Sequence, residues 1–123
     1  VKARQMGLIN GSVTHMGILT DQGPPPWHPA PTAVKEIGQA VAAYCHRQGT
    51  PIAHLAIQFA LQNTAVDVTV LGTRTAAELN ESIKLLDQPP DPALLAAVLA
   101  MIEPVANISW PSGQWEPQKE KNR

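Results

Sequence analysis

The stretch VDVTVLGTRTAAE, residues 66–78, decides the fold, because it joins a short apolar strand directly to a well-capped helix. Valine recurs at every second position from Val66, which is typical of a strand and predicts one over residues 66–71. Thr75 and Glu78 form a capping box, in which the Thr hydroxyl serves the third helical amide and Glu78 reaches back. A helix is therefore predicted to follow, with an apolar face made of Leu79, Ile83 and Leu86.

A similar alternation of elements precedes this stretch. Residues 1–5 are expected to be the tail of a helix, and Met6–Asn10 (MGLIN) a buried strand that ends at Gly11. A loop rich in Pro and Gly follows over residues 17–31. A helix is predicted over residues 32–48, with an apolar face formed by Val34, Ile37, Val41, Tyr44 and Cys45.

Two more helices are predicted from their start signals. Thr50 as N-cap and Pro51 in the first turn open a helix that ends near residues 62–63. Asp91 and Pro92 open the last helix in the same way. The expected buried faces are Ile52, Leu55, Ala56, Phe59 and Ala60 in the first of these helices, and Leu95, Val98, Met101 and Ile102 in the second.

The order of strands and helices predicts an α/β fold with a parallel sheet and right-handed crossovers. Two strands cannot form a parallel sheet covered on both faces, and the first residue is Val1. Both observations lead us to expect the C-terminal part of a larger enzyme, with residues 1–113 in the folded portion. The alternative is a small protein with a trimmed N-terminus. Residues 114–123 are polar and are expected to be a disordered tail.

Composition narrows the class of protein. The 123 residues are 44% hydrophobic, enough for a core, and the net charge is −1. This balance gives no reason to expect nucleic acid or an anionic membrane as partner. The single Cys45 excludes an internal disulfide and a multi-cysteine metal site. We therefore expect a cytoplasmic protein that contacts neither nucleic acid nor membrane.

The segment Gly72-Thr73-Arg74-Thr75 is the sharpest candidate for a binding site. It lies between a strand and a helix N-terminus, where unpaired amides and the helix dipole favour anions. Gly72 lets a phosphate approach the backbone, and Thr73 and Arg74 add a hydroxyl and a positive charge. The alternative interpretation is a capped helix with a surface arginine, and the spacing alone favours neither.

Two longer segments resemble the aldo-keto reductase family. Residues 6–20 (MGLINGSVTHMGILT) are similar to its seventh-strand segment, and residues 71–82 (LGTRTAAELNES) to its eighth-strand cofactor segment. The loop LTDQGPPPWHP (19–29) and WPSG (110–113) resemble the L-galactose dehydrogenase-like, or aldose dehydrogenase, members. The resemblance implies the last two strands of a (β/α)8 TIM barrel, with their helices and a C-terminal helix.

The resemblance also implies a nicotinamide dinucleotide, NAD or NADP, as cofactor. The turn after the first strand would contact its ribose and pyrophosphate, although Val13 replaces a common proline. In the second segment Glu78 and Ser82 stand where Gln and Asn are common, which weakens the expectation for the adenine end. The cofactor residues implied are Gly11, Ser12, Val13, Thr14 and Met16, together with Gly72, Thr73, Arg74, Glu78, Glu81 and Ser82.

No residue of this chain is assigned to catalysis. The family uses an Asp-Tyr-Lys-His set to move a proton during hydride transfer, and the resemblance implies that all four precede Val1. Tyr44, the only tyrosine, is expected to be a half-buried packing residue. The four histidines lack the spacing of a metal site and are expected to be solvated or capping. Two interpretations of Trp27 are left open: part of a sugar-binding rim, or an anchor that fixes the loop to the barrel. Trp110 is expected to pack the C-terminal segment against the barrel.

Three functions are compatible with these sequence features. The first is the cofactor-binding end of an NAD(P)-dependent oxidoreductase acting on an aldose sugar or another carbonyl substrate, inactive by itself. The second is a non-catalytic, nucleotide-binding or regulatory relative. The third is a stable α/β fragment that binds nothing. An intact catalytic set upstream of Val1 would separate the first from the second.

Overall fold

The computed structural model describes residues 2–111, so the predicted tail over residues 114–123 lies outside the described residues. Strand β1 spans Ile9–Asn10 and β2 spans Val68–Thr69. The helices are α1 (Thr32–Arg47), α2 (Ile52–Leu61), α3 (Ala76–Lys84) and α4 (Pro92–Ile102). Short 3-10 turns lie at Lys2–Arg4, His15–Gly17, Leu85–Asp87 and Glu103–Val105. Within this range no helix has the length and apolar character that a membrane crossing requires.

The two strands are parallel neighbours, as predicted. Ile9 lies opposite Val68 and Asn10 opposite Thr69. The backbone N–H of Val70 donates to the carbonyl of Asn10 at 2.8 Å. This register brings the chain that leaves β1 and the chain that leaves β2 to the same edge of the sheet.

The prediction that residues 6–10 form a buried strand is wrong for the described chain, and both strands are shorter than their predicted ranges, 6–10 and 66–71. Each strand has two residues, and the side chains of Ile9 and Val68 are 67% and 49% exposed. In the described part of the chain each strand pairs only with the other, and neither Ile9 nor Val68 belongs to the buried core between the helices.

The core lies between the helices rather than on the sheet. Val41 and Cys45 of α1 are fully buried, and they pack with Leu55 of α2 and with Leu94 and Val98 of α4. The predicted apolar faces of α1 and α4 are thus largely confirmed, with Leu94 added to the latter. Close packing of these helices supplies the scaffold to which the loops and the sheet are attached.

Two predicted helix caps are changed in detail. The Thr75 hydroxyl accepts the N–H of Glu78 at 3.1 Å, as expected, but the Glu78 carboxylate accepts the N–H of Arg74 rather than that of Thr75. Pro51, not Thr50, occupies the N-cap of α2, because the N–H of Thr50 donates to the carbonyl of Cys45 and closes α1. The predicted cap of α4 is confirmed, since Asp91 accepts the N–H groups of Ala93 and Leu94.

The predicted buried faces of α2 and α3 contain errors. Phe59 of α2 is 49% exposed, and Leu79 and Ile83 of α3, with Leu86 beyond it, are about half exposed. Leu85, which the helical spacing did not select, is buried instead. The turn at Leu85–Asp87 packs on α2, whereas α3 contacts chiefly this turn, so most of its surface is uncovered.

Candidate functional site

A cavity of about 200 Å³ lies where the turn after β1 meets the end of β2. The parallel pairing brings these two chain segments together, and α3 closes one side through Ser82. Ten residues line it: Gly11, Ser12, Val13, Thr14, Met16, Ile57, Val70, Leu71, Gly72 and Ser82. Seven of them are among the eleven that the sequence singled out, so the two candidate segments line one cavity.

The backbone at both ends of this cavity is open to a ligand. A Cβ atom built on Gly11 or on Gly72 would meet no atom within 4 Å. Neither glycine has a left-handed φ, so their value here is the absent side chain rather than backbone freedom. A ligand can therefore approach the main chain at both positions.

Four of the predicted residues do not line the cavity: Thr73, Arg74, Glu78 and Glu81. Arg74 is exposed and forms an ion pair with Glu78, with Nη2 and Oε1 3.1 Å apart. Glu81 pairs with Lys84, with Nζ and Oε1 2.6 Å apart. The cation expected to serve a phosphate is thus engaged by a carboxylate of the helix that follows it.

These ion pairs lower the pKa of both carboxylates, Glu78 and Glu81. The backbone N–H of Arg74 and then its guanidinium lower the pKa of Glu78. The hydrogen bond from the Lys84 ammonium lowers the pKa of Glu81. Both groups are therefore ionised at neutral pH, and the N-terminal turn of α3 carries a carboxylate where an anion would dock.

The turn that forms one wall of the cavity has unusual backbone angles. His15, Met16 and Gly17 have φ values of 54°, 51° and 97°, and two of these residues are not glycine. The N–H of His15 donates to the carbonyl of Ser12, and those of Gly17 and Leu19 donate to that of Thr14, each at 3.1 Å. Left-handed backbone is unfavourable for residues with a Cβ, so neighbouring contacts must hold this conformation.

Two histidines and a tryptophan form a cluster behind this turn. The Nδ1 atom of His28 accepts the N–H of Ala30 at 3.1 Å, so Nε2 carries the proton and donates to the carbonyl of His15 at 3.3 Å. The Trp110 ring lies edge-on to the rings of His15 and His28, with centroid distances of 5.1 and 5.9 Å. Burial, and then the nearby His28, lower the pKa of His15.

The predictions for these aromatic residues are partly confirmed. His28 is 2% exposed and binds loop backbone without capping a helix, so the prediction of a solvated or capping histidine is wrong for His28. Trp110 packs against the loop as expected. Trp27 is 71% exposed, with its ring stacked near His28 at a centroid distance of 6.3 Å.

Three residues that line the cavity were not predicted as site residues from the sequence: Ile57, Val70 and Leu71. Val70 and Leu71 directly precede Gly72, so their position at the end of the strand was the available signal. Ile57 is buried on α2 and approaches the cavity through tertiary packing, for which the sequence offers no local signal.

Other candidate sites are less specific. A larger depression, about 610 Å³, is a surface groove between residues 20–23 and α1, and it contains none of the predicted cofactor residues. Tyr44 packs against the core, with the Arg47 guanidinium 5.9 Å from its ring centroid, and Cys45 is buried, both as expected. Residues 2–111 contain no group of three or more His, Cys, Asp or Glu side chains that could hold a metal ion.

Comparison with known proteins identifies the family of the chain. The model of the Aldo/keto reductase family matches residues 1–102, from the N-terminus to the end of α4. An L-galactose dehydrogenase of Arabidopsis thaliana is 35% identical over 117 residues, which is 92% of this chain. The chain spans 37% of the length of that relative. Since the family match extends over both strands and all four helices, the chain belongs to the aldo/keto reductase family.

Proposed function

We propose that this chain supplies the cofactor-binding corner of an NAD(P)-dependent oxidoreductase that acts on an aldose sugar. The observation that carries the proposal is the cavity in which Gly11–Thr14 and Met16 meet Gly72 and Ser82. The family's fold is a (β/α)8 barrel, and loops after the last barrel strands frequently bind phosphate. The two parallel strands among residues 2–111 fit the last two strands of such a barrel.

The size of the cavity limits which part of a cofactor it holds. Pockets for whole small ligands usually measure about 300–1,000 Å³, whereas this one measures about 200 Å³. It is therefore proposed to hold one portion of the dinucleotide, a phosphate with its ribose. Gly11 and Gly72 leave the main chain accessible to that portion of the cofactor, whereas the residues at the start of α3 lie outside the cavity lining.

The bound nicotinamide would supply the hydride acceptor or donor for a sugar hydroxyl or carbonyl. The described residues contribute binding and orientation, and none is placed in proton transfer. The sugar is proposed from the similarity to the L-galactose dehydrogenase of Arabidopsis thaliana. The Asp-Tyr-Lys-His set is expected on the preceding barrel strands.

Substitution of Gly72 tests the proposal in the complete polypeptide. A Cβ at Gly72 meets no protein atom within 4 Å, so Gly72→Val should fold normally yet obstruct the cavity. We expect wild-type protein to bind NADH or NADPH and Gly72→Val to bind about tenfold more weakly or worse, a change of about 1.4 kcal/mol. Nucleotide fluorescence measures the affinity, and Ala96→Val, on the exposed side of α4, is the matched control.

Two outcomes would overturn the proposal. One is wild-type protein that binds neither nucleotide. The other is a folded Gly72→Val variant whose affinities equal those of the wild type and of Ala96→Val.

A further inference from the structure

We propose that His28 is a positioning residue for the cofactor, which acts by holding the turn after β1 through the carbonyl of His15. The inference rests on the proposed function, because it gives that turn its role in nucleotide binding. His28 lies outside both segments that line the cavity. Its contribution is to the shape of the cavity wall and not to direct contact with a ligand.

The turn requires such support because its conformation is intrinsically unfavourable. His15 and Met16 are consecutive non-glycine residues with left-handed φ, followed by Gly17. Such backbone persists when surrounding contacts determine it more strongly than local preference does. Met16 lines the cavity, so relaxation of the turn would displace a wall of the proposed site.

His28 meets this requirement with both ring nitrogens. Nδ1 accepts the N–H of Ala30 in the same loop, which fixes the ring orientation and places the proton on Nε2. Nε2 then donates to the carbonyl of His15, within the left-handed segment. At 2% exposure the ring has little access to water as a substitute partner, so loss of this bond leaves the carbonyl with the N–H of Ile18, at 3.3 Å within the turn itself, as its protein donor and removes its tie to the loop.

Packing on the other sides of the turn leaves the cavity as the side towards which the turn can relax when the His28 bond is lost. A Cβ on Gly17 would lie 3.0 Å from the carbonyl oxygen of Gly23, so the Pro-rich loop lies directly against the turn. The His15 ring meets Trp110 on the side away from the cavity, whereas Met16 faces the cavity. Without the hydrogen bond from His28 to the His15 carbonyl, the turn can therefore relax most readily at Met16.

The pair His28→Gln and His28→Asn separates the two hydrogen bonds. A Gln side-chain amide can reach the position of Nε2 and donate to the His15 carbonyl, whereas an Asn amide reaches only the position of Nδ1. In the complete polypeptide we expect His28→Gln to keep the NADH affinity within about twofold of wild type, and His28→Asn to lose roughly fivefold or more. In turnover assays the loss should appear in KM for the nucleotide, with kcat little changed.

Hydrogen exchange of peptides spanning residues 11–20, without nucleotide, reads the turn directly. His28→Asn should exchange faster there than wild type, and His28→Gln should resemble wild type, whereas α2 and α4 should be unchanged in both. A general loss of stability would instead accelerate exchange throughout the chain.

Failure of the two proposals gives different results. If wild-type protein binds no nucleotide, the proposed function is overturned, and the role of His28 in cofactor binding falls with it. If wild-type protein binds NADH and the two variants bind it equally, with equal exchange over residues 11–20, only the positioning role is overturned.

Discussion

Arg74 donates to the carboxylate of Glu78 twice, from its backbone N–H at 2.7 Å and from its guanidinium at 3.1 Å. The pair places a neutralised cation and an ionised carboxylate at the start of α3, beside the wall of the cavity formed by Gly72. A phosphate that docks there must therefore compete with Glu78 for the guanidinium of Arg74.

Replacing Glu78 with Gln should therefore strengthen nucleotide binding. The variant removes a negative charge near the phosphate and frees the guanidinium, while an amide oxygen can still accept the N–H of Arg74. Exposed ion pairs are weak, so we expect a gain of at most about fivefold, larger for NADPH than for NADH. Fluorescence titration of the complete polypeptide measures both affinities.

The control for this prediction is the Arg74→Ala background. Arg74→Ala alone should weaken binding, and adding Glu78→Gln to it should produce a much smaller gain. An equal gain in the presence and absence of Arg74 would show that the guanidinium is not the group released.

Substitutions of Ser82 should have unequal effects. The Ser82 hydroxyl donates to the carbonyl of Glu78 at 2.9 Å, one turn back in α3, so it is already satisfied inside the helix. Ser82→Ala should change nucleotide affinity by less than about twofold, because a hydroxyl already bonded within its own helix contributes little to binding a ligand. Ser82→Asn should tighten binding, since its longer amide can reach into the cavity that Ser82 lines. A marked loss of affinity in Ser82→Ala would contradict this assignment.

Gly38→Ala should destabilise the protein although alanine is the better helix former. A Cβ at Gly38 would lie 2.7 Å from Cγ2 of Ile18 and 3.1 Å from its carbonyl oxygen, and Ile18 is buried. The gain in helix propensity is about 1 kcal/mol, whereas forcing extra volume into a packed core costs about 1–3 kcal/mol. Denaturant unfolding should show a net loss of roughly 1 kcal/mol.

A double-mutant cycle checks the cause of that loss. In an Ile18→Ala background the Cγ2 methyl is absent, so Gly38→Ala should cost less than it does in the wild type. The same cost in both backgrounds would place the strain elsewhere.

Acidification should lower the free energy of unfolding because His15 is harder to protonate in the folded protein than in the unfolded chain. Its pKa is lowered in the folded state by burial and by His28, so the unfolded chain takes up a proton first. Stability attributed to this group is complete above about pH 6.5 and is lost as the pH falls below that value towards the folded pKa. Unfolding midpoints between pH 7.5 and 5.5 measure the effect.

His15→Phe is the matched control, because a phenyl ring can keep the edge contact with Trp110 without titrating. The variant should show a shallower fall in midpoint over this range. Identical pH dependence in the two would remove His15 as a source.

The features encoded by neighbouring residues were predictable from the sequence alone. Helix bounds follow from apolar spacing and from caps such as Thr75 and Asp91, which act within a few residues. The parallel pairing of β1 and β2 follows from the order of elements. That pairing brings Gly11 and Gly72 to one cavity, as the family resemblance implied.

Tertiary structure decided what depends on residues distant in the chain. The burial of His28 and its bond to the His15 carbonyl join positions 13 apart, and no local pattern marks them. The missing side chain of Gly38 matters because Ile18 lies against it, and Ile9 of β1 is exposed because it lies outside the buried core between the helices. Periodicity and capping are local properties, whereas burial is determined by the elements that happen to lie alongside in space.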